Sequence, residues 1–331
     1  MVLDPGILLI KSTAPVEKLM HKDNMETLSS CDQLRTRLKQ LISGQFCCVI
    51  INYPTKEKCE EVCRELYGFN ALKCFIIIWH PEATEDPIFR QTLMDNAAHM
   101  VTYCPASLVQ MVNQSLYSNR GEYECPFCQR QSLTKLELYQ HTTTFHINQP
   151  VLSITCPICL KRPKHFHHHL HYSHLNHKPS TSGVFSIVIC RRPKDGAFLM
   201  VQEVFHQGFW VPGGQLNKGE GLRGGAMRET LEEAGVQITL KGVLEVLVNG
   251  PSWKRVTFYA EPANSQFIPK SRPDFESCGA CWVHASQLSS LNLRDSSTPE
   301  KWFPKLQNDL ECVLPLEIPQ EYKEAFAHLE F

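Results

Sequence analysis

The chain has 331 residues, 43% of them apolar, 9% aromatic and 20% charged, which suits two or three soluble globular domains and excludes a disordered or fibrous class. A formal net charge of −1 gives no global pull toward nucleic acid or anionic membrane, so any such contact must come from a local patch. Fifteen cysteines, an odd count with two C-x2-C pairs each followed by histidines, argue against a closed disulfide framework and for zinc in a reducing compartment, cytoplasm or nucleus. MVLDPGILLIKS at the start does not have the pattern of a signal peptide, and no apolar run reaches about 18 residues, so no membrane partner is expected.

Residues 1–118 read as an α/β accessory domain built on a parallel sheet. Apolar runs at Gly6–Ile10, Phe46–Asn52, Cys74–Trp79 and His99–Tyr103 suit buried strands. Helical patterns lie between and after them, at Cys31–Ile42, Lys56–Tyr67, Asp86–Asn96 and Pro105–Leu116. The strands end at Asn52, His80 and Cys104, where a site of such a fold would sit. No glycine-rich phosphate loop or acid pair stands there, which favours an accessory or binding role. Cys59 and Cys63 share one helix face and read as core thiols.

Residues 121–178 contain nine histidines and two cysteine pairs. Cys125-x2-Cys128-x12-His141-x4-His146 lets a short hairpin present two thiolates and a helix two imidazoles to tetrahedral zinc, a ββα-type unit. With Tyr123 two residues before the first cysteine and Leu138 three before the first histidine, this closely resembles the C2H2 zinc-finger family. Ser132 stands where that family has an aromatic residue, with Leu133 beside it, so zinc must supply most of the folding free energy. In the second unit, after Cys156-x2-Cys159, Phe166-x2-His169-x4-His174 repeats the pattern and selects His169 and His174 as ligands. His165, His167, His168, His171 and His177 remain open as alternatives. Four ligands close such a site, so both are expected to be structural. Of the positions that would face bases in such a finger (Thr134, Glu137 and Gln140), only Glu137 and Gln140 have base-edge chemistry, and no arginine is among them. A protein contact or a loose RNA contact is expected over DNA reading.

Lys178–Gly183 reads as a linker. Strand patterns at Val184–Cys190 and Ala197–Glu203 follow, joined by a turn at Lys194-Asp195-Gly196. The run Gly214–Val236, GQLNKGEGLRGGAMRETLEEAGV, then concentrates four glutamates. Glu229, Glu232 and Glu233 lie three and four apart on a helix expected at Leu222–Ala234, ended by Gly235, while Glu220 can fold back from the loop before it. Carboxylates so crowded repel, and a hard divalent cation, Mg²⁺ or Mn²⁺, relieves that repulsion. Arg228 cannot ligate a metal; its fork suits Glu229 or Glu232 and would orient one of them.

Gly214, Glu220, Arg228, Glu229, Glu232, Glu233, Gly235 and Val236 reproduce the spacing G-x5-E-x7-R-E-x-x-E-E-x-G plus an apolar residue. This resembles the signature box of the Nudix hydrolase family, with Thr230 at a position usually aliphatic. The resemblance implies a Nudix α/β/α sandwich at 183–315, with residues 316–331 as a tail. It also implies Mg²⁺ or Mn²⁺ on Glu229 and Glu233, with Glu232 completing the shell or holding a metal-bound water and Glu220 as a secondary contact. The implied reaction is metal-dependent hydrolysis of a nucleoside diphosphate linked to another group, in which Arg228, Glu229 and Glu232 serve catalysis and the backbone of Gly213 and Gly214 approaches the ligand.

After the box, Gly242–Asn249 and Lys254–Ala260 read as strands around an Asn249–Ser252 turn. GPSWKRVTFYAEP with Asp274-Phe275-Glu276-Ser277 and Trp282 looks like the branch acting on oxidised guanine nucleotides such as 8-oxo-dGDP. Trp253, Phe209 and Trp210 are candidates to stack on a base, with core packing as the alternative for each. Glu276 is a candidate extra general base, and Cys278 and Cys281 read as packing. Capped RNA, ADP-ribose and dinucleotides are alternative substrates; a non-catalytic RNA- or protein-binding adaptor using the fingers is the alternative of another class. Leu293–Phe331 reads as a tail anchored by Trp302-Phe303, with a helix around Pro319–Leu329. Oligomeric state is not readable.

Overall fold

The computed structural model describes residues 6–10, 25–29, 33, 36–37, 41, 46–67, 74–116, 121–131, 133–147, 154–175, 182–264 and 266–331. They form two compact units: Met1–Thr84 with Ile88–His177 and Ser271–Phe275, and Glu85–Pro87 with Lys178–Lys270 and Glu276–Phe331. No described helix is long and apolar enough to cross a membrane.

In the first unit, β1 (Gly6–Ile10), β2 (Met25–Leu28), β3 (Phe46–Ile51), β4 (Phe75–Trp79) and β5 (Met100–Thr102) make a parallel sheet in the order β2-β1-β3-β4-β5. The expected strands are present; β2 is an addition. The helices α1 (Lys56–Tyr67), α2 (Pro87–Asp95) and α3 (Pro105–Leu116) match their expected spans to within a residue. The helix expected at Cys31–Ile42 lies largely outside the described residues, as does most of the linker at 178–183. Cys59, Val62, Cys63 and Leu66 form the buried face of α1. Burial pushes the Cys59 thiol up to about 11 and Cys63 higher still, so both are inert packing residues. At the strand ends, His80 Nδ1 accepts the Glu82 N–H and Thr102 Oγ1 accepts the Cys104 N–H. These polar groups are used in shaping their own turns.

The finger region adds α4 (Lys135–Phe145) and a one-turn helix α5 (Phe166–His169) continued by a π-helical turn, Leu170–His174. Tyr123 and Leu133 exchange N–H···O bonds at 3.0 Å, closing the expected hairpin. Leu133 is buried in the finger core, and Ser132 lies outside the described residues. The two finger units share one core of Cys125, Leu133, Leu138, Cys156, Phe166 and Leu170.

The second unit contains β6 (Val184–Cys190), β7 (Phe198–Gln202), β8 (Phe209–Trp210), β9 (Gly213–Gln215), α6 (Leu222–Ala234), β10 (Ile238–Val248), β11 (Lys254–Pro262), β12 (Ala280–Val283) and α7 (Ser297–Asn308). Its two sheets run β10-β11-β6-β9 and β12-β7-β8. Alternate residues along the strands divide between two cores. Val188, Leu199, Val201, Phe258 and Trp282 pack with Leu222 and Ala226 of α6. Ile187, Ile189, Phe198, Met200 and Tyr259 pack with Trp302 and Phe303 of α7. Period-two burial on both faces is what strands between two helical layers require.

β6 and β7 are joined by the expected turn, closed by the Arg192 N–H on the Ala197 carbonyl at 2.7 Å, and they enter different sheets. Two expectations need correction. Leu293–Phe331 is not a plain tail, since α7 lies within it and Phe303 stacks on Phe198 at 4.1 Å. The helix expected around Pro319–Leu329 is two separate 3₁₀ turns, Gln320–Tyr322 and Glu324–Phe326, whose Phe326 is buried in the core under α6.

α6 starts at Leu222 and ends at Ala234 as its sequence predicts, with Gly235 in the left-handed region at φ 68°. A Cβ there would also lie 3.0 Å from the Lys270 Cβ. Gly224, inside the helix, meets only the Glu220 Cγ at 3.7 Å. Opposite effects are therefore expected: Gly235→Ala should destabilise the unit by about 1–2 kcal/mol, and Gly224→Ala should stabilise it by about 0.5–1 kcal/mol. Chemical denaturation followed by tryptophan fluorescence checks both signs.

Candidate functional site

The box carboxylates assemble around one guanidinium. Arg228 donates from Nε and Nη2 to the two oxygens of Glu220 at 2.8 and 2.9 Å, a bidentate pair. Nη2 also reaches Glu229 Oε1 at 2.8 Å and the Gln215 carbonyl at 3.2 Å, and Nη1 reaches Glu232 Oε2 at 2.8 Å. The arginine thus holds three of the four glutamates. The fourth, Glu233, accepts from the Gly213 N–H at 2.9 Å. Oε2 of Glu229 and Oε1 of Glu233 take no hydrogen bond from any described residue.

Local sequence explains the placement. Glu220 is fixed by its own loop, where its Oε2 accepts the Asn217 N–H at 2.8 Å and its N–H returns to the Asn217 carbonyl. Gly214 leaves room for Glu229, whose Oε1 would lie 2.5 Å from a Cβ at that position. A Cβ on Gly213 would strike the Ser186 carbonyl at 2.5 Å. Both glycines therefore bring backbone against carboxylates and β6. Thr230 is fully buried in α6, and its hydroxyl is satisfied by the Ala226 carbonyl at 2.8 Å.

Burial, then the charge of Glu203, raises Glu233 well above the ordinary carboxylate range, and Glu229 and Glu276 add to the rise. Burial also raises Glu229, against the pull of Arg228. Glu220 is lowered, chiefly by its Arg228 bond. One cation among four acids leaves the Glu229–Glu233 side short of positive charge. An oxygen-preferring divalent ion fits that donor set.

Glu203 was not singled out in the sequence. It follows β7, and its carboxylate takes Arg294 Nη1 at 2.9 Å while facing Glu233 electrostatically. Nothing local marks it, because the strand that carries it is distant in sequence from the box. Glu276 is half-buried and adds its charge to that felt by Glu233, and the neighbouring Ser277 hydroxyl donates to the Glu233 carbonyl at 2.6 Å. Trp253 is half-buried near the β10–β11 turn, its ring 6.0 Å from Phe185. Phe209 is corrected as a stacking candidate: it is 0% exposed in the core with α7 and has no face to offer. Trp210 belongs to the same core, under the Arg294 guanidinium at 4.9 Å. Cys278 and Cys281 are buried and form no disulfide, as expected of packing residues.

In the finger region the expected ligand atoms converge in two tetrads, Cys125, Cys128, His141, His146 and Cys156, Cys159, His169, His174, each within 4.8 Å. In the first, Cys128 Sγ and His146 Nε2 both lie 3.3 Å from His141 Nε2. In the second, His169 Nε2 lies 3.2 Å from Cys159 Sγ and 3.1 Å from His174 Nε2. Tetrahedral zinc spaces such donors about 3.3–3.8 Å apart, so the residues fit. Burial lowers His141 to about 4, leaving the neutral imidazole a metal needs. Of the alternative histidines, His165, His167, His168 and His171 are not in the tetrads, and His177 lies outside the described residues. Thr134 and Glu137 are engaged in a capping box on α4, which ties up two of the three positions that would face bases.

Residues 182–306 match the family model of the NUDIX domain, and residues 121–175 match that of Drought induced 19 protein (Di19), zinc-binding. The 8-oxo-dGDP phosphatase NUDT18 of Homo sapiens is 33% identical over 93 residues, 27% of this chain and 29% of that protein. Its Danio rerio namesake is 34% identical over 129 residues, 34% of this chain and 39% of that protein. The chain thus matches less than half the length of either curated relative. Among solved structures, a NUDIX hydrolase from Nitrosomonas europaea aligns with 43% of this chain and 97% of its own at 19% identity, with a TM-score of 0.33.

Raised carboxyl groups fix the sign of a pH effect. Between the ordinary value of 4.5 and the raised folded value, the folded protein binds more protons at Glu233 than the unfolded chain does. Without divalent metal, stability should therefore rise as pH falls through that interval and fall as pH rises. Glu233→Gln should remove this part of the slope. Thermal melts of both proteins in chelator across the interval test it, and superimposable slopes would contradict the assignment.

Proposed function

We propose that the Nudix domain carried at residues 182–306 hydrolyses the pyrophosphate bond of a nucleoside diphosphate linked to another group, with Mg²⁺ or Mn²⁺ as cofactor. The observation that carries this reading is the complete carboxylate set around Arg228, with one oxygen each of Glu229 and Glu233 left without a donor among the described residues. An oxidised purine nucleotide such as 8-oxo-dGDP is the favoured substrate, supported by the two 8-oxo-dGDP phosphatases among the relatives.

Glu229 and Glu233 would hold the cation, with Glu232 and Glu220 at its margin. Bound there, the ion would polarise a phosphoryl oxygen and lower the pKa of an attacking water. Arg228 keeps Glu220, Glu229 and Glu232 from drifting apart in their mutual repulsion. Glu276, close enough to perturb Glu233, would accept the proton of the attacking water. The half-buried ring of Trp253 is the aromatic residue proposed for base contact, since Phe209 and Trp210 are core. The tetrads would each hold one zinc in a structural role, and unbridged cysteines suit the cytosol or nucleus. A nucleic-acid role for the finger region finds little support, as Thr134 and Glu137 cap their own helix.

With Mg²⁺, the protein should turn over 8-oxo-dGDP in preference to ADP-ribose, dinucleoside polyphosphates and capped RNA. Glu233→Gln should bind Mn²⁺ poorly and hydrolyse none of them, and Glu276→Gln should lose about 10²–10⁴-fold in kcat. Wild type with no turnover of any of these substrates would remove the enzyme reading. Metal analysis should find two zinc per chain, one for each tetrad. Cys125→Ser should lower that content, and unchanged zinc in this variant would refute the first site.

A further inference from the structure

Residues 316–331 lie beyond the stretch that matches the domain family, yet they close the first turn of the helix that carries the carboxylates. Gly221 at the N-cap of α6 has no side chain to satisfy the helix's free N–H groups. The Glu330 carbonyl takes the first of them instead, accepting the Leu222 N–H at 2.8 Å. The approach is close enough that a Cβ on Gly221 would stand 3.0 Å from that oxygen.

Arg223, one residue into the helix, grips both ends of the segment. Its Nη2 donates to the Leu316 carbonyl at 2.6 Å, and its guanidinium lies 4.4 Å from the centre of the Phe331 ring. Between these two grips, Ile318 and Phe326 are buried in the same core as Leu222 and Ala226, and Phe331 packs 6.0 Å from Phe258. Just before the segment, Leu314 is clipped to β10 by paired bonds with Val243 at 3.1 and 2.9 Å.

We propose that residues 316–331 are a strap that positions the metal-holding face of α6, with Arg223 as its clasp. The first turn of α6 follows directly on Glu220, and Arg228, one and a half turns on, binds Glu220, Glu229 and Glu232 together. If that turn frays, Glu220 and Arg228 separate and the repulsion among the remaining acids is no longer balanced. Arg223 is therefore a positioning residue, acting on the carboxylates through the helix and touching no substrate. The role of the strap in metal binding rests on the hydrolase reading; its role as a helix cap does not.

The test uses the full chain and compares Arg223→Ala, Arg223→Lys and Phe331→Ala with wild type. Hydrogen exchange at Leu222–Gly225 is read against the Gly235 end of the same helix, together with Mn²⁺ affinity at a temperature far below melting and the separate kcat and KM of hydrolysis. Arg223→Ala and Phe331→Ala should speed exchange at the first turn selectively and weaken Mn²⁺ by about tenfold or more. They should lower kcat with KM little changed, and Arg223→Lys, keeping the donor, should recover much of the loss. Exchange and Mn²⁺ affinity equal to wild type in both truncating variants would overturn the proposal, as would a uniform loss of protection along the whole helix. A wild type that hydrolyses nothing would sink the hydrolase reading alone, because exchange at the first turn still decides whether the strap acts as a cap.

Discussion

Four carboxylates, running from the loop before α6 to its last turn, stand against a single guanidinium, and the second unit is arranged around that imbalance. Arg228 donates to Glu220, Glu229 and Glu232, and among the described residues Glu233 takes its carboxylate hydrogen bond from the Gly213 backbone N–H. Glu203, Glu229 and Glu276 all add negative potential at Glu233. In water such a set would spread apart; here glycines remove the room to do so. Gly214 lets Glu229 lie against the backbone, and the peptide of Gly213 faces Glu233. The arrangement stores unfavourable electrostatics that a divalent ion would relieve, which is how binding free energy and site geometry become linked.

That imbalance can be held only if the helix carrying it is fixed at both ends and along its length. At one end Gly235 turns the chain in a conformation that a side chain would resist, and the Lys270 side chain reaches the Glu232 carbonyl there at 2.7 Å. Along its inner face Leu222, Ala226 and Ala234 share a core with strands of both sheets. The small residues Gly225 and Ala226 bring α6 close to its neighbours: a Cβ on Gly225 would meet the Leu216 Cδ2 at 2.1 Å. The low side-chain volume in the first half of α6 costs helix propensity and is recovered as proximity between carboxylates and sheet.

What was legible in the sequence is what short-range spacing encodes. The α6 bounds, its Gly235 terminus, the β10–β11 hairpin and the convergence of both Cys/His tetrads follow from offsets of a few residues. What was not legible depends on partners distant in the chain. β2 is a short edge strand with only Leu28 buried, so it has no apolar run to announce it. α7 was concealed by Pro299 and Pro304; Pro304 lies on its exposed side while Trp302, Phe303 and Leu306 face the core. Phe209 reads equally as an aromatic ligand contact or as packing, and only the two-sided burial of the sheets decides for packing. Glu203 and the Glu330 cap escaped for the same reason.

The two finger units show the same dependence on context. Tandem modules that track a groove are expected to be separate beads, each with its own core. Here Phe127 of the first unit stacks on His146 of its own tetrad at 4.9 Å and lies parallel to His167 of the second at 5.8 Å. Phe75, the first residue of β4, sets its edge 5.7 Å from His141 and 6.2 Å from His146. An imidazole held on two sides by aromatic rings is already oriented, which would lower the entropic cost of closing the tetrad on a metal. The first tetrad is thereby built into the packing of the parallel-sheet unit. Its metal would stabilise a folded body larger than a finger.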